Sequence, residues 1–140
     1  MVHVLLVEDN TDILANISSA LEMNDYVVDQ ATNGQQALNF LNANPTVPDI
    51  IVSDINMPYM NGIEFIRTVR TIAKSKCTPV LVVTTHAATN DIVEALRAGV
   101  NSYIVKPFSV ETFRDKIDAV CDKHSSSAGR CDSTDRRAIS

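Results

Sequence analysis

The sequence predicts an α/β domain built from five strand–helix units around a parallel sheet. Short runs of Val, Ile and Leu recur along the chain, amphipathic stretches at helical spacing separate them, and the two kinds alternate regularly. That alternation calls for parallel neighbours joined by right-handed helical crossovers. Runs this short and this apolar fit strands buried on both faces.

The first strand signal is Val2-His3-Val4-Leu5-Leu6-Val7. The cap region Asn10-Thr11-Asp12 then opens a helix carrying Ile13, Leu14, Ile17 and Leu21 at helical spacing. Tyr26-Val27-Val28 is a shorter second strand, ending in Asp29-Gln30. Ala37, Leu38 and Leu41 follow an Asn33-Gly34 turn as the second helix. Asp49 to Asp54 is the third strand. Ile63, Phe65, Ile66 and Val69, after an Asn61-Gly62 turn, predict the third helix. Pro79 to Thr84 is the fourth strand. Ile92, Val93, Ala95 and Leu96 form the fourth helix, which ends at Gly99 as a left-handed terminator. Ser102 to Val105 is the fifth strand, and Val110, Phe113, Ile117 and Val120 predict a last helix capped by Ser109.

A chain of 140 residues supports one such domain. Hydrophobic residues at 45% and charged residues at 21% exclude disorder of the whole chain. No apolar run reaches the ~18–20 residues that span a bilayer. The N-terminus MVHVLLVEDN lacks a basic region and reads as no signal peptide, so the expected compartment is cytoplasmic. A net charge of -5 argues against non-specific binding to nucleic-acid backbone. Cys77, Cys121 and Cys131 form no CxxC or Cys/His cluster and are read as ordinary thiols, with a redox switch the lesser alternative. Residues 1–123 are read as the domain. Residues 124–140 are polar and aperiodic and are read as a disordered tail or linker, too short for an output domain.

The chemistry gathers where the strands end. In an open parallel α/β sheet, ligands bind outside the carboxyl ends of the strands. Glu8 and Asp9 follow the first strand, Asp54 ends the third, Thr84 the fourth, and Lys106 the fifth. Three carboxylates from neighbouring strand ends repel one another unless a cation sits among them. An all-oxygen set suits Mg²⁺, or Mn²⁺, together with a phosphate. Taken alone, Glu8, Asp9 and Asn10 read equally well as caps of the first helix, but that leaves Asp54 and Lys106 at the same end unexplained. A lysine at the end of a buried strand is costly unless paired, and an ammonium facing Asp54 would be paired at rest. Thr84 offers a hydroxyl beside it. Pro107 marks a sharp turn, and the bare sequence favours a trans bond there.

This constellation resembles the receiver domain of two-component response regulators, of which the single-domain chemotaxis receiver is one kind. Val4-Leu5-Leu6-Val7-Glu8-Asp9, Asp54-Ile55-Asn56-Met57-Pro58 with Asn61-Gly62, Thr84, and Tyr103-Ile104-Val105-Lys106-Pro107-Phe108 carry the resemblance. The spacings fit as well: 45 residues from Asp9 to Asp54, 30 on to Thr84 and 22 on to Lys106. The likeness runs from about residue 2 to 121. It implies a flavodoxin-like, doubly wound (βα)5 sandwich with strand order 2-1-3-4-5, for which a member of this family is itself a standard example.

The resemblance also implies roles. Asp54 accepts a phosphoryl group from a phosphohistidine of a histidine kinase or histidine phosphotransfer protein. Glu8, Asp9, Asp54 and the backbone carbonyl of Asn56 hold Mg²⁺. Lys106 contacts the phosphoryl group and Thr84 swings towards it. Tyr103 turns inward, and the face of helix 4, strand 5 and helix 5, with Ile92, Leu96, Tyr103, Val105 and Lys116, is read by a downstream protein partner. Lys106-Pro107 matches the family's cis peptide. The implied protein is a signalling phosphoacceptor rather than an enzyme, with no direct nucleic-acid contact and no membrane insertion. Two departures stand out. Thr85 replaces a small residue and is expected to narrow access to Asp54, so that Thr85→Ala speeds charging by small donors. His86 follows it, near the solvent path or as a plain loop histidine.

Other readings were weaker. A haloacid-dehalogenase-type phosphatase needs an Asp-x-Asp pattern after the first strand, where this chain has Glu8-Asp9-Asn10. A flavodoxin-type nucleotide binder needs a Gly- or Ser/Thr-rich phosphate loop there. Two alternatives remain within the receiver reading: a module of a larger hybrid kinase or effector, and a phosphorylation-independent scaffold.

Overall fold

Three strands place consecutive apolar residues on opposite faces of one sheet, and this alternation creates two cores. The computed structural model describes residues 2–55, 61–72, 77–84, 89–106 and 109–122, with only the backbone described at 89–92. Its strands are β1 (His3–Val7), β2 (Val27–Ala31), β3 (Ile50–Asp54), β4 (Val80–Thr84) and β5 (Ser102–Val105). Its helices are α1 (Thr11–Glu22), α2 (Gly34–Ala43), α3 (Gly62–Thr71), α4 (Thr89–Ala98) and α5 (110–122). All strand pairs are parallel and the order is β2-β1-β3-β4-β5, as the resemblance implied.

Leu5, Val7, Ile51, Val80 and Val82 face α2, α3 and α4, where they meet Leu38, Leu41, Phe65, Ile66, Val69 and Ala95. Val4, Leu6, Ile50, Val52, Leu81 and Val83 face α1 and α5, where they meet Leu14, Leu21, Phe113 and Ile117. β1, β3 and β4 lie inside the sheet and need apolar side chains on both faces, which explains their unbroken runs. β2 is an edge strand. It runs to Ala31 rather than stopping at Gln30, and it leaves Val27 45% exposed while Tyr26 is buried beside it.

The helix starts follow from their caps. Asn10 accepts from the N–H groups of Asp12 and Ile13, Asn33 from Gln36, Asn61 from Glu64, and Ser109 Oγ from Thr112. The Asn33-Gly34 and Asn61-Gly62 pairs, expected as turns, are therefore each an N-cap with the first helical residue. Gly99 ends α4 with φ +107, as expected. In α4 the periodicity misleads: Val93 and Leu96 are exposed, and the described residues it buries are Ala95 and Ala98.

Beneath the sheet, polar pairs join the layers. His3 Nε2 pairs with Asp29, and the His3 N–H donates to Asp49 at 2.8 Å. Tyr26 donates its hydroxyl to Asp118 at 2.7 Å, and its phenol is pushed up to about 12 by burial and by that carboxylate. Cys121 is a free, half-buried cysteine whose thiol is pushed up to about 11 by burial and by the nearby Asp49, Asp118 and Asp122, which makes it unreactive. Cys77 is disulfide-bonded, so the reading of three plain thiols fails there. It is half-buried in the turn before β4. The expected tail at 124–140 lies outside the described residues.

Candidate functional site

The carboxyl ends of β1, β3, β4 and β5 meet at one end of the sheet. Glu8 follows β1 directly, and its N–H still donates to the Ala31 carbonyl of β2 at 3.0 Å, which fixes its side chain at the strand end. Glu8 is 4% exposed and Asp54, the last residue of β3, 9%. Asp9 is exposed beside them. One carboxylate oxygen from each of Glu8, Asp9 and Asp54 can be chosen so that all lie within 4.8 Å of one another.

Lys106 enters this group from the end of β5. Its backbone N–H donates to the Thr84 carbonyl at 2.7 Å, which seats it against β4. Its Nζ donates to Glu8 Oε1 at 2.9 Å and to Asp54 Oδ2 at 3.3 Å. Burial by itself would lower the lysine's pKa. The hydrogen bonds and charges of Glu8 and Asp54 outweigh that and hold it above the ordinary value, so the ammonium stays charged. The second Glu8 oxygen accepts from the Asn10 N–H at 3.2 Å. The Asp9 carboxyl is raised above its usual range by burial, then by a hydrogen bond and charge repulsion from Glu8.

The site therefore carries three carboxylates against one ammonium. Hard, anionic oxygens converging from three side chains fit a divalent cation such as Mg²⁺ or Mn²⁺. Glu8, Asp9, Asp54 and Lys106 come together as expected. Thr84 is buried at the end of β4 in the same end of the sheet. What the sequence did not reveal is that Lys106 lies nearer Glu8 than Asp54. The extra methylene of Glu over Asp was the one available signal.

A hydrogen-bonded loop supports Asp54 from below. The Gly62 N–H donates to the Ile55 carbonyl at 2.6 Å, and the Ile55 N–H donates to Val83 at 3.2 Å. On the neighbouring face, Tyr103 is 39% exposed with Lys116 Nζ 5.7 Å from its ring centroid, a cation–π arrangement. Leu96 is half exposed nearby in sequence order on α4, and Val105 is half-buried. Asn56, Thr85, His86, Pro107 and Phe108 lie outside the described residues, as does the side chain of Ile92.

The fold and the acidic strand-end cluster with its lysine define a class, and sequence comparison agrees. The family model for the response regulator receiver domain matches residues 4–118. The chain belongs to that family. It is 34% identical over 120 residues to the chemotaxis protein CheY1 of Helicobacter pylori, covering 84% of this chain and 94% of the relative. It is 34% identical over 126 residues to the transcriptional regulatory protein PrrA of Mycobacterium leprae, covering 90% of this chain but only 52% of PrrA. Among solved structures, Vibrio cholerae chemotaxis protein CheY4 superposes with a TM-score of 0.81 at 35% identity, covering 86% of this chain and 98% of the other. The receiver domain of the Pseudomonas aeruginosa sensor histidine kinase PA1611, solved with a magnesium ion in its active site cleft, gives a TM-score of 0.78 at 27% identity, covering 86% and 98%. This chain is thus a receiver of the CheY and response-regulator type.

Proposed function

We propose that this receiver is a phosphoacceptor in a two-component phosphorelay and that Asp54 is the acceptor. The observation that carries the reading is the convergence of Glu8, Asp9 and Asp54 within 4.8 Å, with Lys106 paired to two of them. An Asp54 carboxylate oxygen attacks the phosphorus of a phosphohistidine. The new O–P bond forms as the N–P bond breaks, and the imidazole leaves with the electron pair. Lys106 exchanges a carboxylate for a phosphoryl oxygen and binds it as a point charge. Thr84 offers a hydroxyl donor to another oxygen. The rigid strand ends hold Asp54 in line.

Glu8, Asp9, Asp54 and the Asn56 carbonyl would hold Mg²⁺, whose charge offsets that of the phosphoryl oxygens when bound. The magnesium in the PA1611 receiver supports this assignment. The protein assists its own charging and discharging and is not an enzyme acting on other molecules. The added charge of about -1.5 to -2 at Asp54 draws Thr84 and lets Tyr103 turn inward. The face with Ile92, Leu96, Tyr103, Val105 and Lys116 then binds a downstream protein. A second reading, a receiver that serves a joined output domain, is favoured by the match to only half of PrrA, and it uses the same residues.

The test is incubation with acetyl phosphate, with and without Mg²⁺, followed by intact mass. One phosphoryl increment is expected with Mg²⁺ and none with Asp54→Asn. Labelling that survives in the variant overturns the acceptor assignment.

A further inference from the structure

The described side chains of α4 hold it to the sheet by little apolar surface. Of its described side chains, 93–98, Ala95 and Ala98 are the buried ones, whereas α3 buries Phe65, Ile66 and Val69. Two alanine methyls remove far less area from water than a Phe with two branched aliphatics. Among the described residues, polar ties from α3 add to this at the C-terminal end of α4.

Arg70 lies in the last turn of α3 and is half-buried. Its Nε and Nη2 donate to the Gly99 carbonyl at 3.2 and 2.7 Å, its Nη1 to the Thr78 carbonyl at 2.6 Å, and its Nη2 also to Asn101 Oδ1 at 3.2 Å. Asn101 Oδ1 in turn accepts from the Val80 N–H at 2.8 Å. One guanidinium thus joins the end of α4, the entry to β4 and the turn into β5. A Cβ at Gly99 would stand 3.1 Å from Arg70 Nε, so the side chain lies flat against the backbone that ends the helix. Its charge sits at the negative end of the α4 dipole. One turn earlier, Arg67 reaches Glu94 at 3.4 Å, but both partners are about half exposed and the pair adds little.

We propose that Arg70 is a positioning residue for the output face: it pins the C-terminal end of α4 as a pivot, so that a change at Asp54 and Thr84 tilts the helix about that point. The inference rests on the output-face reading above and deepens it. Without the pin, α4 moves independently of the strands and the signal at Asp54 reaches Leu96 and Tyr103 weakly.

The test uses the full chain and the variants Arg70→Gln and Arg70→Lys. Amide hydrogen exchange is read at residues 93–98 and, as a reference, at 4–7 and 50–54. NMR shifts of the Leu96 methyls and the Tyr103 ring are read before and after charging with acetyl phosphate and Mg²⁺. Arg70→Gln is expected to raise exchange at 93–98 by about tenfold or more, with the reference strands within about twofold. Arg70→Lys is expected to restore it only in part, because one ammonium cannot serve the same fork of acceptors. The charging shifts at Leu96 and Tyr103 shrink, while the charging rate of Asp54 is unchanged. Unchanged exchange at 93–98, a uniform rise across the domain, or full-sized shifts in Arg70→Gln overturns the proposal. If wild-type Leu96 and Tyr103 do not shift on charging, the output-face reading fails, and the pivot fails with it as a signalling device.

Discussion

Replacing Gly62 with Ala is expected to damage the support of Asp54 through space alone. Gly62 is the first residue of α3, and among the described residues Gly99, not Gly62, is the glycine with positive φ. A Cβ at 62 would stand 2.4 Å from the Asp54 carbonyl oxygen, 2.7 Å from Ile55 Cα and 3.1 Å from the Ile55 oxygen. All three are main-chain atoms, so no rotamer change relieves the overlap. Ordinary contact starts at 3.4 Å, so the start of α3 must retreat by about 1 Å from β3. Overpacking costs ~1–3 kcal/mol, and the upper end applies because β3 is bonded to β1 and β4 on both sides. A loss of ~3 kcal/mol lowers the folding constant roughly a hundredfold. Urea unfolding should show that loss with an unchanged m-value. The surviving folded protein should charge on the order of tenfold more slowly with acetyl phosphate, because Asp54 is displaced with its peptide. Stability within about 0.5 kcal/mol of wild type together with an unchanged charging rate would refute the reasoning.

Three further outcomes follow from the same coordinates. Lys106→Met leaves Glu8 and Asp54 buried without their cation and should cost ~3 kcal/mol in EDTA, with part recovered in Mg²⁺; equal urea midpoints for variant and wild type in EDTA would contradict this. Asp9 has a folded pKa above its unfolded value, so its contribution is present below about pH 3.8 and is lost as pH rises through the folded value. Asp9→Asn should therefore raise the melting temperature at neutral pH in EDTA while weakening Mg²⁺ binding by calorimetry. Tyr26, raised from 10.0 to about 12, favours the fold below pH 10 and loses that contribution as pH rises through about 12. Phenolate absorbance should show one tyrosine titrating that high, and Tyr26→Phe should remove it.

The parts of the fold that depend on local chemistry could be read from the chain. Unbroken apolar runs mark β1, β3 and β4 because interior strands need both faces apolar. Asn10, Ser109 and Gly99 mark helix ends because their side chains, or the lack of one, satisfy a specific backbone need. The acidic pair, Asp54, Thr84 and Lys106 could be placed at one end because strand ends of a parallel sheet share a side. What escaped depends on distances between segments far apart in sequence. Beyond the longer side chain of Glu8, nothing local shows that Glu8 is nearer than Asp54 to Lys106, and nothing shows that Arg70 serves Gly99 and Thr78 or that Tyr26 meets Asp118. In α4 the larger apolar residues Val93 and Leu96 face outward, and of its described side chains the small Ala95 and Ala98 meet the core, which spacing alone does not distinguish. The polar Asp29 and Gln30 interrupt the apolar run of β2, which an edge strand tolerates because it is less covered than the interior strands.

Lys106 reaches back 98 residues to Glu8 and 52 to Asp54. At a synthesis rate of about 5–20 residues per second, roughly 5–20 s separate the making of Glu8 from that of Lys106. Over about the last half of that interval, the 52 residues that follow Asp54, a growing chain carries Asp54 and its acidic pair but not its lysine. Until β5 is laid beside β4, the four groups share no common place. Closure of the last strand is therefore what completes the cluster of Glu8, Asp9, Asp54 and Lys106.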